Sequence, residues 1–195
     1  METLVFATHN QNKASEIQDM LSGRYKILTL KDIGCDVDIP ETADTLEGNA
    51  KIKSEFVLKN YKKQVFADDT GLEVDALNGA PGVYSARYAG AERSDEANMN
   101  KLLGDLANFA DRKAQFRTVI SLEWGNETYY FEGIVRGHIS EVKTGTDGFG
   151  YDPIFIPQGE TRSFAEMSKQ EKNKISHRGR AVGKLVDFLQ SKKAQ

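Results

Sequence analysis

Apolar residues in this chain fall into two rhythms, short unbroken runs and runs spaced three and four apart. Their order predicts an alternating α/β opening and a more β-rich second half. Leu4-Val5-Phe6-Ala7 is a buried-strand run, followed by the polar turn Thr8-His9-Asn10-Gln11-Asn12. A helix is expected from near Lys13, with Ala14, Ile17, Met20 and Leu21 on one face and Ser22-Gly23 as its stop. Lys26 to Leu30 reads as the next strand. After an acidic loop over residues 31–44, a helix from about Thr45 to Tyr61 turns Leu46, Ala50, Phe56 or Val57, and Tyr61 inward. The strand Val65-Phe66-Ala67 is expected to end at Asp68-Asp69, beyond which Leu72, Val74 and Ala76 alternate only partially.

Asn78-Gly79 and Ala80-Pro81-Gly82 are turn signals. Ser94 can cap a helix whose apolar face is Ala97, Leu102, Leu103 and Leu106. The runs Ala114–Trp124 and Glu127–Ile139 flank Gly125-Asn126 and predict a long hairpin, packed through Phe116, Val119, Tyr130, Phe131, Ile134 and Val135. A Gly-rich loop, Gly145 to Gly150, leads to the strand Ile154-Phe155-Ile156. Ser168 with Glu171 resembles a capping box, and a last helix from Ser176 to Ser191 carries the stripe Ala181, Val182, Leu185, Val186 and Leu189. The expected fold class is α/β, a mixed central sheet flanked by helices.

Length and charge narrow the function. The 195 residues suit one domain with a sizeable core, and 26 Lys plus Arg against 29 Asp plus Glu leave a net charge of -3. That is no footprint for duplex nucleic acid, although a local lysine cluster could still bind a small phosphorylated ligand. No apolar stretch reaches membrane-spanning length, and Glu2 before a short apolar run is not a signal peptide. Cys35, the single cysteine, cannot form an internal disulfide. Together these predict a cytoplasmic protein with neither a membrane nor a nucleic acid as partner.

Several polar clusters could carry chemistry. Asp68 and Asp69, at the end of a buried run, offer hard oxygen ligands where an open sheet places its ligand crevice; a plain turn before Gly71 is the alternative. On a regular strand the two point to opposite faces and can do different work. Glu41, Asp68 and Asp69, with Glu16 as a possible fourth, could hold Mg²⁺ together with waters. The turn Thr8 to Lys13 presents backbone N–H groups at a helix start, with Lys13 as a full charge. It lacks the glycines of a phosphate loop, so an ordinary capped loop stays open. Glycines on both sides of Phe149 let the backbone approach a ligand closely, and a planar base could stack on the ring. Lys172 with Ser176-His177-Arg178 supplies donors that match the carbonyl oxygens of a purine. A thiol nucleophile, a zinc site on His9, His138 and His177, and a Ser-His-Asp hydrolase all lack their sequence signals.

Thr8-x-Asn10-x-x-Lys13, Glu41, Asn49-Ala50-x-x-Lys53 and Ala67-Asp68-Asp69-Thr70-Gly71-Leu72 recur in register with Gly79-Ala80-Pro81-Gly82 and Tyr84-Ser85-Ala86-Arg87. With Phe149-Gly150-Tyr151-Asp152-Pro153 and Ser176-His177-Arg178 they resemble the inosine/xanthosine triphosphate pyrophosphatase, or Ham1-like, family over nearly the whole chain.

The resemblance implies a single Ham1-like domain over residues 1–195, with two lobes and an active-site cleft between them, usually as a homodimer. It also implies Mg²⁺-dependent hydrolysis of ITP, dITP or XTP to the monophosphate and pyrophosphate. Carried over, Thr8, His9, Asn10, Gln11, Asn12, Lys13 and Lys53 would hold the triphosphate and Thr70 a phosphate. Glu41 and Asp69 would serve the metal, and Asp69 would also be the general base. Phe149, Gly150, Tyr151, Asp152, Lys172, His177 and Arg178 would recognise the base, with Lys172 and Arg178 donating to its 6-oxygen. The chain departs from the family pattern at Ala43 and Leu46, where Gly and Phe are expected, and at Gly48, where an acidic residue is common. Two rivals stay open: a Maf-like pyrophosphatase for other nucleotides, and a nucleotide-binding regulator without turnover.

Overall fold

The computed structural model describes residues 2–21 and 24–193, so the expected stop at Ser22-Gly23 lies outside the described residues. In chain order the main elements are β1 (Glu2–Phe6), α1 (Gln11–Leu21), β2 (Tyr25–Leu28), α2 (Leu46–Tyr61), β3 (Val65–Val74) and β4 (Pro81–Gly82). They continue with α3 (Asp95–Asp105), β5 (Lys113–Trp124), β6 (Glu127–Ile139), β7 (Phe155–Pro157), α4 (Lys169–Ile175) and α5 (His177–Lys193). The sheet has the order β2-β1-β3-β5-β6-β7, with β4 beside β3. It is mixed, since β1 runs parallel to β2 and β3 whereas β4 and β7 pair antiparallel with β3 and β6. Among the described residues no helix is long and apolar enough to cross a membrane.

The chain divides into two compact units. Unit 1 comprises Met1–Asp69, Thr118–Gly133 and Arg178–Gln195; unit 2 comprises Thr70–Arg117 and Ile134–His177. In unit 1 the pleat sorts alternate residues to opposite faces. Leu4 and Phe6 of β1 and Phe66 of β3 join Ile17 and Leu21 of α1 and Leu185 and Leu189 of α5. Val5, Ala7, Val65 and Ala67 join Val57 of α2, with Cys35 and Ile39 buried among them. Cys35 is thus a packing residue. Unit 2 is centred on aromatic rings, with Phe116 edge-on to Phe155 at 4.7 Å and both near Phe164.

The structure corrects three expectations. Helix α1 starts at Gln11, two residues early, because the Asn10 carboxamide oxygen accepts the Lys13 backbone N–H at 3.1 Å and caps it. Strand β3 does not end at Asp68-Asp69 but runs on to Val74. Gly71 serves close packing there, since a β-carbon on it would fall 2.8 Å from the Gly82 carbonyl oxygen of β4. Tyr130, expected to pack, is 45% exposed, while its neighbours Tyr129 and Phe131 lean on Phe188.

The start of α2 has its own close contact. The Thr45 hydroxyl accepts the Gly48 N–H at 3.1 Å and caps the helix. A β-carbon at Gly48 would fall 2.5 Å from that of Ala43, well inside contact distance.

Candidate active site

The pleat decides the arrangement in unit 1. Asp68 follows Phe66 to the face covered by α1 and α5, and Asp69 follows Ala67 to the face covered by α2. On the first face, Asp68 Oδ1 accepts from the Lys13 ammonium at 3.0 Å and Oδ2 from Arg178 Nε at 3.4 Å. Arg178 also donates through Nη1 to Glu16 at 2.5 Å. Asp68 and Arg178 are fully buried, each 1% exposed. Burial works against the Asp68 anion, but the Lys13 and Arg178 cations outweigh it and hold the carboxyl far below the ordinary range. Arg178 follows the same logic with signs reversed: burial opposes its charge, and Glu16 and Asp68 restore it.

On the second face, Lys53 of α2 donates to Glu41 at 2.6 Å and lies 3.8 Å from Asp69 Oδ1. Asn49, one helical turn earlier, bridges two segments. Its amide nitrogen donates to Asp69 Oδ2 at 3.1 Å, and its oxygen accepts the Ala43 N–H at 2.9 Å. Burial pushes the Asp69 carboxyl up; Lys53 and Lys13 pull it down, Glu41 pushes it up again, and the result lies above the ordinary range. Burial also disfavours the Lys53 cation, yet Asp69 and Glu41 raise its pKa overall.

The cluster of Glu41, Asp68 and Asp69, with Glu16 as a possible fourth, is therefore not assembled. Asp68 is on the wrong face of the strand to join Glu41 and Asp69, and Glu16 is bonded to Arg178. Among the described residues no group of three or more His, Cys, Asp or Glu is arranged to hold a metal. What remains is the pair Glu41 and Asp69, from two segments, converging on one ammonium.

The turn before α1 forms as a capped loop. The Thr8 hydroxyl accepts the Asn10 N–H at 3.1 Å, His9 Nε2 lies 3.0 Å from the Val37 carbonyl oxygen, and Gln11 and Asn12 are exposed in the first helical turn. Thr70, half-buried, is the first residue of unit 2 and covalently follows Asp69.

Unit 2 gathers Phe149, Asp152 and Lys172. Asp152 Oδ2 accepts from the Lys172 ammonium at 2.7 Å and from the Phe149 N–H at 2.9 Å. The same ammonium lies 4.8 Å from the centre of the Phe149 ring. Gly148 is required by this packing, because its φ is +79° and a β-carbon would fall 2.1 Å from Asp152 Oδ2. The Gly150 N–H donates to Asp95 at 2.7 Å, and the buried Tyr151 hydroxyl donates to the Ser85 carbonyl at 2.7 Å. His177 stacks on Phe116 with ring centres 4.6 Å apart. Arg178, in unit 1, is bonded to Glu16 and Asp68.

Asn49 and Ser85 fall within the motifs Asn49-Ala50-x-x-Lys53 and Tyr84-Ser85-Ala86-Arg87, which give them no individual role. Asp95 has no local signal, because it acts through a partner 55 residues away. Glu16, expected as a possible cation ligand, is bonded to Arg178.

A sequence model of the Ham1 family matches residues 4–188 of this chain. The chain belongs to the Ham1 family. A dITP/XTP pyrophosphatase of Flavobacterium johnsoniae is 56% identical over 190 residues, 97% of this chain and 99% of that protein. One from Porphyromonas gingivalis is 55% identical over 190 residues, 97% of this chain and 98% of its own. The solved structure of the Staphylococcus aureus Ham1 protein matches with a TM-score of 0.89 at 45% identity, covering 98% of this chain and all of that one. The Ham1 fold therefore accounts for the mixed sheet and its five helices.

Proposed function

We propose that the protein is a dITP/XTP pyrophosphatase, hydrolysing dITP, XTP or ITP to the nucleoside monophosphate and pyrophosphate, with the whole chain acting as one catalytic domain. The observation that carries this reading is the division of labour on β3. One carboxylate, Asp68, is neutralised by Lys13 and Arg178, and its neighbour Asp69 is left with a raised pKa beside Lys53 and Glu41. The full-length likeness to dITP/XTP pyrophosphatases supports the substrate class.

Lys13 and Lys53 would hold the triphosphate, assisted by Thr8, the amide groups of the turn up to Asn12, and Thr70. Asp69 would orient the attacking water and accept its proton as the oxygen joins the α-phosphorus and pyrophosphate departs. A carboxyl shifted upward by burial is a stronger base at neutral pH than an ordinary one. Glu41 and Asp69 would hold Mg²⁺, and their fit is chemical: two hard carboxylates from separate segments already converge on a positive charge. Two such ligands suffice for an ion that keeps several waters. When bound, Mg²⁺ supplies charge neutralisation to the phosphate chain. In unit 2 the Phe149 ring would stack on the base, and Lys172, held by Asp152, would donate to its 6-oxygen. An amino group at that position would leave the buried donor unmatched, which disfavours adenine. His177 and Arg178 would complete recognition of the base, and Arg178 also links to Asp68 on the phosphate side. We infer a cytoplasmic homodimer from the family resemblance.

The test is pyrophosphate release from dITP, XTP, ITP, GTP, ATP and dTTP, with Mg²⁺ or with EDTA. Fast release from the first three, little from ATP and none in EDTA is expected. Binding without release, or a pyrimidine preference, would overturn the reading.

A further inference from the structure

Glu16, Arg178, Asp68 and Lys13 form a chain of alternating charge within unit 1, linked at 2.5, 3.4 and 3.0 Å. The side chains of the first three are 6%, 2% and 1% exposed, whereas that of Lys13 is 17% exposed. The chain is thus closed to water at the glutamate end and open at the lysine end. It also crosses three elements, since Glu16 and Lys13 sit on successive turns of α1, Asp68 on β3 and Arg178 at the start of α5.

We propose that Glu16 is a positioning residue which, through Arg178 and Asp68, fixes the Lys13 ammonium for the phosphate chain of the substrate. The two cations compete for one carboxylate: Lys13 takes Oδ1 of Asp68 and Arg178 takes Oδ2. Glu16 draws one edge of the Arg178 guanidinium away from Asp68 by accepting from Nη1. Without that negative charge, the guanidinium can turn its fork onto both oxygens of Asp68, the geometry it favours with a carboxylate. Lys13 then loses the oxygen that holds it. Four alternating charges sum to zero, but three leave a buried excess cation, so removing Glu16 disturbs the pair it does not touch.

The inference rests on the reading of Lys13 as a triphosphate ligand. It is tested by a double-mutant cycle between Glu16→Gln and Lys13→Met. The cycle is read both in kcat/KM for pyrophosphate release from dITP and in Kd for a non-hydrolysable dITP analogue. In the Lys13 background Glu16→Gln should weaken both readings by about 10-fold, and in the Lys13→Met background by less than about 2-fold, the non-additivity of residues acting as one unit. The same fold-loss in both backgrounds, or none in either, overturns the proposal, because a general loosening of the fold would not depend on Lys13. If Glu16→Gln does not fold, Glu16→Asp keeps the charge and shortens the reach, and the same coupling is expected. A wild-type protein that binds the analogue but releases no pyrophosphate would defeat the functional reading while leaving the coupling measurable in Kd.

Discussion

Asp68 and Asp69 are consecutive, equally acidic in sequence and both buried, yet their surroundings drive them in opposite directions. Asp68 meets Lys13 and Arg178 and is held ionised far into acid. Asp69 meets one ammonium, one amide and another carboxylate, and its carboxyl is raised. Burial pushes both the same way, so it cannot be the cause of the difference. The balance of charge is: Lys13, Arg178 and Lys53 all lower Asp68, whereas at Asp69 the Glu41 carboxylate works against Lys53 and Lys13. A β-strand separates neighbouring side chains across the sheet, and here that separation gives one carboxylate a structural environment and the other a reactive one.

The contrast is broken most severely at the reactive member. Asp69→Asn should lower kcat by about 10³-fold with little change in KM or melting temperature, as loss of a general base does. Steady-state kinetics and a thermal melt on the same preparation check it, and an unchanged kcat would remove Asp69 from the chemistry. Asp68→Asn should do the reverse in emphasis, destabilising the fold by about 3 kcal/mol because it leaves the buried Arg178 and the partly buried Lys13 with one negative charge fewer. That loss depends on pH in a fixed sense. Because the folded state lowers the Asp68 pKa, its ionisation stabilises the fold at all pH values above about 4 and the contribution disappears on acidification below that. Urea unfolding should therefore show a gap between wild type and Asp68→Asn that is constant from neutral pH down to about 5 and closes in stronger acid. The smallest effect is expected at Asn49→Ala, which removes an amide donor from Asp69 and an acceptor from the Ala43 N–H. A loss of about tenfold in kcat/KM corresponds to one hydrogen bond to a charged group. Measured against Asp69→Asn, that loss should vanish if Asn49 acts only through Asp69.

Much of this was legible beforehand because it is local. Strand alternation placed Asp68 and Asp69 on opposite faces, helical spacing found the buried stripes of α1, α2 and α5, and Ser94 and Ser168 were recognisable caps. What failed was either a choice between two meanings of one residue or a contact between distant ones. Gly71 can break a strand or admit another backbone, and only the presence of Gly82 above it decides. Arg178 lies 110 residues from Asp68 and 162 from Glu16, so nothing in its own neighbourhood says that it will be drawn to them. A helix turns consecutive side chains about 100° apart, so His177 stacks on Phe116 while Arg178 reaches Glu16 and Asp68.

The contact between Ala43 and Gly48 makes the two positions interdependent. They are opposite ends of one contact, with 2.5 Å between the Ala43 methyl and a β-carbon at 48. What position 48 can carry is therefore conditional on the size of the side chain at 43. An acidic residue placed in this first turn, where the helix dipole would favour it, needs the room that Ala43→Gly would make.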